Sequence, residues 1–188
     1  MNVYDFDNTL YDGESILQMF RFYLRKHPGI ALHLPHMALT LLKYKQDKLT
    51  LDEMLAGCNR VVEPFLKNSK NFEKEAVRFW DRHENRLFPF YKHQQRPDDL
   101  IISASPEYSL REICKRMGVK RYIGTVINEK KQTIEFLCFG KNKVKIFRER
   151  YPDEQIENFY TDSMSDKPLM DIARHVFLLK KGWMQQIK

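Results

Sequence analysis

The stretch MNVYDFDNT, residues 1–9, decides the fold of this chain. Its apolar beginning is too short for a helix and suits a strand buried in a parallel sheet, where polar residues follow at the carboxyl end. Asp5 and Asp7 are separated by a single residue, so both side chains leave the same face of such a strand. Two adjacent carboxylates repel each other unless a cation lies between them, and magnesium prefers such oxygen ligands. A plainer interpretation is that Asp7 and Thr9 are turn residues that cap a helix.

The same pattern of a short apolar run followed by polar residues returns along the chain. Such runs occupy residues 100–102, 156–160 and 175–179, helices are predicted at 105–117, 143–151 and 168–174, and residues 122–128 and 134–138 form a predicted strand pair. The helix at 105–117 has Ser105 as its expected N-cap, Pro106 at its first position and Gly118 as its stop. Alternating strands and helices predict an α/β fold with a doubly wound parallel sheet, which is a Rossmann-like layer.

Residues 14–95 break this alternation, because helical patterns run through the whole segment. Helices are predicted at residues 15–26, 34–44, 51–66 and 72–88. The segment is far longer than one crossover helix needs, so we predict an inserted helical module. It follows the first strand, where a doubly wound sheet keeps its ligand crevice, and this position suits a cap over an active site. The predicted domains are therefore a core of residues 1–13 and 96–188 and a helical cap of residues 14–95.

The composition is that of a soluble globular protein, with 43% hydrophobic and 30% charged residues. The net charge of +7 favours anionic partners, which include phosphoesters, nucleic acid and acidic lipid headgroups. A non-catalytic basic binding module is therefore an alternative function of another class. The sequence contains no helix-turn-helix, RNA-recognition signature or zinc-ligand spacing, so nucleic acid is not the expected partner.

The cysteines predict a reducing, cytoplasmic setting. Cys58, Cys114 and Cys138 lie far apart, and an odd number without a CxxC pair argues against a disulfide framework. The first residues lack the basic-then-apolar pattern of a signal peptide, because Asp5 and Asp7 interrupt it. No apolar run reaches the roughly 20 residues that a membrane-spanning helix needs.

Further polar residues lie where other predicted strands end. Ser103 directly follows the run at 100–102, where a hydroxyl can donate to a phosphate oxygen, although it can equally belong to a turn. Asp162 and Asp166 follow the strand that ends at Tyr160, and a second acidic pair at that place could complete an oxygen-ligand site. Asp166 can also serve as the N-cap of the next helix.

A basic run, GKNKVK at residues 140–145, supplies the candidate lysine. A carboxylate at a strand end can attack phosphorus and form an aspartyl phosphate. A buried lysine beside it would neutralise charge on the nucleophile and on the transferring phosphoryl group. We favour Lys143 for this role, with Lys141 and Lys145 as the alternatives. A solvated basic helix face is the plainer interpretation of the run.

In their order and placement, these residues resemble the four motifs of the haloacid dehalogenase superfamily of phosphatases. The motifs are matched by residues 5–9, Ser103, Lys143 and residues 162–166, and the resemblance spans the chain. The helical segment between the first two motifs is similar to the cap of phosphoserine phosphatase-like members. The resemblance implies a Mg²⁺-dependent phosphomonoester hydrolase. One departure is Thr161, which stands where the family usually has glycine.

The resemblance also implies a role for each residue. Asp5 would attack phosphorus in line, and Asp7 would protonate the leaving oxygen and then activate water. Ser103 and Lys143 would hold the phosphoryl oxygens. The expected ligands of Mg²⁺ are Asp5, the backbone carbonyl of Asp7, and Asp162, with Asp166 in support. An aspartate at the position of Asp7 separates the phosphatases of this family from its dehalogenases.

Substrate choice is expected to depend on the cap. Glu14 and Arg60 resemble the residues with which phosphoserine phosphatases bind the amino and carboxylate groups of their substrate, and with Thr9 they are the candidate substrate contacts. Glu14 as an ordinary helix-start residue and Arg60 as a surface cation are the plainer alternatives. The family's Ser-Gly-Gly is replaced here by Ser-Ala-Ser-Pro at residues 103–106, which argues against phosphoserine. Phosphoserine phosphatase is therefore kept as the alternative function.

Other stretches point to a different substrate within the same subfamily. Residues 138–144 and 26–28 look more like phosphatidylglycerophosphate phosphatases, whose substrate is a lipid phosphate. Residues 30–42, which are followed by lysines at 43, 45 and 48, could rest on an anionic membrane surface. The simpler explanation is that this stretch is a core helix of the cap. The expected partner is a phosphorylated small molecule or a lipid phosphate, with a possible peripheral contact to a membrane.

Overall fold

The structure, a computed structural model, describes residues 1–24, 28–46, 48–68, 71–128, 130–180 and 183–188. Its strands are β1 (Asn2–Tyr4), β2 (Leu100–Pro106), β3 (Arg121–Asn128), β4 (Thr133–Phe136), β5 (Asn158–Thr161), β6 (His175–Lys180) and β7 (Trp183–Gln186). Its α-helices are α1 (Ser15–Leu24), α2 (Leu34–Lys45), α3 (Leu51–Asn68), α4 (Phe72–His83), α5 (Phe90–Gln94), α6 (Glu107–Met117), α7 (Lys141–Arg150) and α8 (Lys167–Ile172). Short 3-10 helices occupy Pro28–His33, Glu84–Arg86 and Met164–Asp166.

The strands form one sheet in the order β4-β3-β2-β1-β5-β6-β7. The inner strands, from β3 to β6, run parallel, whereas β4 and β7 pair antiparallel at the two edges. The predicted α/β fold with a parallel sheet is confirmed for this inner part. Strand β1 lies between β2 and β5, so the chain switches direction across the sheet there, and such a switch opens a ligand crevice at the carboxyl ends of the strands. The edge strand β7 was not predicted.

Strand β1 is central and covered on both faces. Val3 and Tyr4 in β1, Ile101 and Ile102 in β2 and Phe159 in β5 are fully buried. This explains why their sequences read as continuous apolar runs rather than alternating ones.

Helix α6 begins later than the sequence predicts. Strand β2 continues through Pro106, with an irregular register against β3 between Ile102 and Pro106, and the helix begins at Glu107 with Pro106 as its N-cap residue. The prediction that Ser105 is the N-cap is therefore wrong. Gly118 ends the helix as predicted, in the left-handed conformation with φ of 73°.

The long segment between β1 and β2 is helical, as predicted, and contains α1 to α5. Its two ends lie together, because Phe88 N–H donates to the Leu10 carbonyl at 2.8 Å and Asp12 N–H donates to the Arg86 carbonyl at 2.9 Å. The helix predicted at 72–88 ends at His83, where the chain turns to make this return. The predicted first helix reaches Leu24, and residues 25–27 lie outside the described part of the chain.

Helix α4 packs on the core rather than standing apart from it. Trp80 donates from Nε1 to the Ser109 carbonyl in α6 at 2.9 Å, and its ring meets Phe6 and Tyr11 edge-on at centroid distances of 5.7 and 5.3 Å. Helices α2 and α3 pack on each other, and α3 also contacts the edge strand β4, where the Ile134 N–H donates to Asn59 Oδ1 at 2.7 Å. Among the described helices, none is long and apolar enough to cross a membrane.

Candidate active site

The ends of β1 and β5 bring two acidic segments together. Asp5 follows β1 directly, and its backbone N–H donates to the Tyr160 carbonyl of β5 at 2.8 Å. Asp162 likewise follows β5 directly, because β5 ends at Thr161. Because neighbouring parallel strands end at the same edge of the sheet, both carboxylates lie at the crevice, as the sequence predicts.

Lys143 joins the two acidic segments. Its Nζ donates to Asp5 Oδ1 at 2.8 Å and to Asp166 Oδ2 at 2.9 Å, and it lies 2.8 Å from Asp166 Oδ1. The Lys143 side chain is only 3% exposed, while Lys141 and Lys145 are exposed on the same helix. The burial is a consequence of helix geometry, because residues two positions apart on α7 point to different sides. Of the three candidate lysines, Lys143 is the one that contacts the strand-end carboxylates.

Burial dominates the protonation of Asp5. It raises the pKa of the Asp5 carboxyl above its usual range, against the opposing effect of the Lys143 ammonium, and the Asp166 carboxylate adds to the rise. Burial alone would lower the pKa of Lys143, but Asp5 and Asp166 together raise it. The site therefore holds a fixed ammonium between carboxylates whose negative charge is poorly compensated.

Asp7 is held from two sides. Its Oδ1 accepts from the Ser15 backbone N–H at 2.8 Å, at the start of α1, and its Oδ2 accepts from Ser105 Oγ at 3.0 Å. The two serine hydroxyls also bond each other at 2.8 Å. Burial raises the pKa of Asp7 to about 6, although the bonds from Ser15 and Ser105 oppose the rise. A carboxyl group with this pKa can both give and take a proton near neutral pH.

Ser15 and Ser105 are partners of Asp7 that sequence reasoning missed. The sequence predicts a helix cap for Ser105 and a helix start for Ser15, and neither prediction concerns Asp7. One signal in the sequence could have indicated a role for Ser105. It stands where the resembled family has glycine, so its hydroxyl is an additional polar group at this strand end.

Ser103 and Thr9 are buried beside the strand ends. Ser103 is 1% exposed, and its Oγ accepts from the Ser105 backbone N–H at 3.1 Å. Thr9 is fully buried, its N–H donates to the Phe6 carbonyl, and its hydroxyl has no hydrogen-bond partner among the described residues. The substrate contacts expected of both residues stay predictions.

Glu14 lies at the margin of the acidic group. Its Oε1 accepts from Asn8 Nδ2 at 2.7 Å, and Asn8 has a left-handed backbone with φ of 55°. Burial, with the nearby charge of Glu14, raises the pKa of Asp162. Glu14 is thus close to the carboxylates and adds negative charge to them.

Arg60 does not join this cluster by a hydrogen bond or ion pair within the described residues. It is exposed on α3 and lines a shallow groove with Lys43 and His36 of α2. The structure therefore brings only Glu14, of the two residues expected to recognise an amino acid, into contact with the strand-end residues.

Thr161 stands where the resembled family has glycine, and its side chain makes two hydrogen bonds in this position. It is fully buried, its Oγ1 donates to Asp166 Oδ2 at 3.0 Å, and the same oxygen accepts from the Ser163 N–H at 3.1 Å. Asp166 occupies the N-cap position of α8 as predicted, but its side chain makes no capping bond. It is directed instead to Lys143 and Thr161.

The donor set fits a hard divalent cation. Asp5 and Asp162 offer carboxylate oxygens, the pKa values of both are raised by burial, and a cation would offset that cost. Among the described residues no three His, Cys, Asp or Glu side chains form a metal cage. Mg²⁺ does not require one, because it is commonly bound through one or two carboxylates with water and substrate phosphate completing its octahedron.

Solved structures share this fold. A protein of unknown function from Bordetella pertussis Tohama I superposes with a TM-score of 0.67 at 15% identity, covering 91% of this chain and 85% of that one. A phosphoserine phosphohydrolase-like protein from Francisella tularensis gives 0.61 at 15% identity, covering 97% and 88%. A phosphoserine phosphatase described as a phospho-aspartyl intermediate analogue gives 0.55 at 14% identity, covering 93% and 83%. At these identities the likeness shows the fold alone.

No curated protein sequence matches this chain. The family model for haloacid dehalogenase-like hydrolases, however, matches residues 3–171, which includes every strand-end residue described above. The chain therefore belongs to the haloacid dehalogenase-like hydrolase family.

Proposed function

We propose that this protein is a Mg²⁺-dependent phosphomonoester hydrolase that works through an aspartyl phosphate on Asp5. The observation that carries the proposal is the arrangement around β1. A buried ammonium, Lys143 Nζ, holds one oxygen of Asp5 at 2.8 Å. Beside the same strand end, burial raises the pKa of Asp7 to about 6, which suits proton transfer.

The residues divide the reaction between them. An Asp5 oxygen attacks phosphorus, the bond from phosphorus to the leaving oxygen breaks, and Asp7 gives that oxygen its proton. Ionised Asp7 then takes a proton from water, whose oxygen attacks phosphorus and releases phosphate and Asp5. Lys143 and the Ser103 hydroxyl stabilise the negative phosphoryl oxygens.

The metal ligands in this proposal are Asp5, the backbone carbonyl of Asp7, and Asp162. When bound, Mg²⁺ supplies charge neutralisation at the phosphoryl oxygens. Asp166 supports the site indirectly, because both of its carboxylate oxygens contact Lys143 Nζ. It fixes the lysine that in turn orients Asp5.

We also propose residues 14–95 as the substrate-selecting cap. The support is Ser15, the first residue of α1, which reaches from this segment to Asp7. Helix α4 packs on α6, so within this segment we assign the part next to the crevice to α1, whose first residue reaches Asp7. The unpaired state of Cys58, Cys114 and Cys138 supports a reducing, cytoplasmic setting.

The substrate class we favour is a small or lipid-linked phosphoester other than phosphoserine. A zwitterionic amino acid needs a fixed anion and a fixed cation at the same site. Glu14 supplies the anion beside Asn8, but Arg60 makes no contact with the cluster within the described residues. We expect kcat/KM for phosphoserine to be at least about tenfold below that for aryl or lipid phosphates. A preference for phosphoserine that is lost in Glu14→Ala and Arg60→Ala would reverse this assignment.

The experiment for the chemistry is Asp5→Asn, assayed with an aryl phosphate and Mg²⁺. An amide cannot form the aspartyl phosphate, so turnover should vanish while the circular dichroism spectrum is kept. Asp12→Asn is the matched control, because Asp12 is an exposed residue of the same segment and loses the same charge. Labelled phosphate from substrate, trapped on the wild type by acid quench, should be absent from Asp5→Asn. Substantial turnover by that variant would eliminate the mechanism.

A further inference from the structure

Ser105 contacts both the proposed general acid and the residue proposed to hold the phosphoryl group. Its hydroxyl donates to Asp7 Oδ2 at 3.0 Å, and its backbone N–H donates to Ser103 Oγ at 3.1 Å. The residue is 2% exposed, so bulk water has little access to either bond. The family's usual glycine at this position could not make the first of these bonds. The contact with Asp7 therefore comes from a side chain that this sequence adds to the site.

The neighbouring strand fixes the place of Ser105. A side chain added at Gly124 in β3 would come within 2.8 Å of the Ser105 carbonyl oxygen and of Glu107 Cα. The end of β2 and the start of α6 therefore approach β3 so closely that only glycine fits there without a backbone shift. One residue before Ser105, the Ala104 carbonyl accepts from Thr125 Oγ1 at 2.6 Å. The backbone that carries the Ser105 hydroxyl is thus held by two separate contacts with β3.

The two carboxyl oxygens of Asp7 have partners of different kinds. Oδ1 accepts from the Ser15 backbone N–H at 2.8 Å, and this group can only donate. Oδ2 is bonded to the Ser105 hydroxyl, which can donate or accept, and this hydroxyl is bonded in turn to Ser15 Oγ at 2.8 Å, where either atom can be the donor. The two hydroxyls can therefore reverse their direction when Oδ2 gains or loses a proton, whereas the N–H at Oδ1 cannot.

We propose that Ser105 is a positioning residue, which keeps the transferable proton of Asp7 on Oδ2 and holds this carboxyl toward the leaving oxygen. The inference rests on the proposed hydrolysis through Asp5. In the first step the proton on Oδ2 passes to the leaving oxygen as the bond from phosphorus to that oxygen breaks, and Ser105 then donates to the ionised Oδ2. In the second step Oδ2 takes a proton from the water whose oxygen attacks phosphorus, and phosphate leaves Asp5.

A positioning role of this kind depends on the leaving group. Without the Ser105 hydroxyl the Asp7 carboxyl loses one of its two hydrogen bonds described here and can turn about the other. A misplaced acid slows the first step only where the leaving oxygen needs a proton, which an alkoxide does and a nitrophenolate does not. The second step is common to all substrates, because water attacks the same aspartyl phosphate. Loss of Ser105 should therefore slow the second step with every substrate and the first step with poor leaving groups alone.

The test is Ser105→Ala, assayed with Mg²⁺ on benzyl phosphate and para-nitrophenyl phosphate, which each carry one aromatic ring but differ in leaving group. We expect kcat/KM, which reports the first step, to fall at least about tenfold for benzyl phosphate and less than about threefold for para-nitrophenyl phosphate. With the second substrate kcat and KM should fall together. Nitrophenol should then appear in a burst, and acid quench should trap more labelled phosphate on the variant than on the wild type.

Ser109→Ala is the matched control, because Ser109 is a similarly buried serine whose hydroxyl accepts from Trp80 Nε1 at 3.1 Å. It should change kcat/KM for the two substrates by the same factor. Ser105→Gly, which introduces the family's usual residue, should repeat the result of Ser105→Ala, with the fold of each variant checked by circular dichroism. Equal losses with the two substrates in both Ser105 variants, or no loss with either substrate, would overturn the inference. Failure of the proposed hydrolysis would be recognised separately, because the wild type would then trap no labelled phosphate.

Discussion

Replacing Asp7 by asparagine should stabilise the metal-free protein above neutral pH while removing its activity. Asp7 is buried enough that its pKa rises to about 6. A carboxyl whose pKa is raised in the folded state stabilises the fold fully below its unfolded pKa, and this contribution is lost as pH rises through the folded pKa. The wild type should therefore lose stability from about pH 4 to above pH 6, and the asparagine variant should lack this part of the loss.

The magnitude follows from the pKa. A rise of roughly two pH units corresponds to about 3 kcal/mol at alkaline pH. Asp7 keeps partial exposure at the crevice, so we discount this to about 1–2 kcal/mol. Asparagine preserves the bonding pattern: its Oδ1 can accept from the Ser15 N–H, and its Nδ2 can donate to Ser105 Oγ, which then donates to Ser15 Oγ. The gain in the free energy of unfolding is therefore not offset by a buried polar group that lacks a hydrogen-bond partner.

The assay is urea unfolding with a chelator present, at about pH 5 and about pH 8. The difference between Asp7→Asn and wild type should favour the variant at both pH values and be roughly half as large at the lower one, because the unfolded carboxyl is already ionised at that pH. Asp153→Asn, which removes one exposed charge, is the control and should differ little from wild type at both. Saturating Mg²⁺ should reduce the difference in the free energy of unfolding between the variant and the wild type, because a cation compensates the ionised carboxylates. A variant that is less stable than wild type at the higher pH would refute the reasoning.

Two further outcomes test the same site. Lys143→Met should lower the free energy of unfolding by about 3–5 kcal/mol at alkaline pH, because Asp5 and Asp166 lose their shared buried counter-charge, and should reduce kcat by at least about a hundredfold. Lys145→Met, on the exposed side of α7, should do neither, and equal losses in the two variants would argue against Lys143. Chelation should stop hydrolysis and Mg²⁺ should restore it, whereas Ca²⁺ should inhibit, because it accepts more ligands at longer distances. Full activity with Ca²⁺ alone in an aryl phosphate assay would contradict the proposed site.

The strand-end positions could be predicted because they depend on local pattern. An apolar run followed by polar residues identified the ends of β1 and β5 to within one residue, although β2 continues through Pro106, and parallel strands bring such ends to one edge. The choice among Lys141, Lys143 and Lys145 could not be made from composition. It depends on which side of α7 faces Asp5, and that is a property of how the helix packs.

The predictions failed where a long-range contact outweighed a local signal. Ser-Pro is a strong helix-start pattern, and it predicted Ser105 as the N-cap. Ser105 instead lies at the end of β2, where its hydroxyl reaches Asp7, a residue distant in sequence. Strand β7 was missed for another reason: its residues are all exposed, so neither face shows the apolar pattern on which strand prediction rests.

The charge balance at the strand ends supports the cation of the proposed chemistry. Lys143 is already paired with Asp5 and Asp166, so two carboxylates compensate its positive charge before any phosphate binds. Asp7, Asp162 and Glu14 add further negative charge at the same edge, and the pKa values of Asp7 and Asp162 are raised there by burial. A phosphomonoester is itself an anion, and Coulomb repulsion in a partly buried crevice is weakly screened. In the proposed mechanism the lysine therefore orients the nucleophile, and a divalent cation held by Asp5 and Asp162 would offset the repulsion between these carboxylates and the substrate.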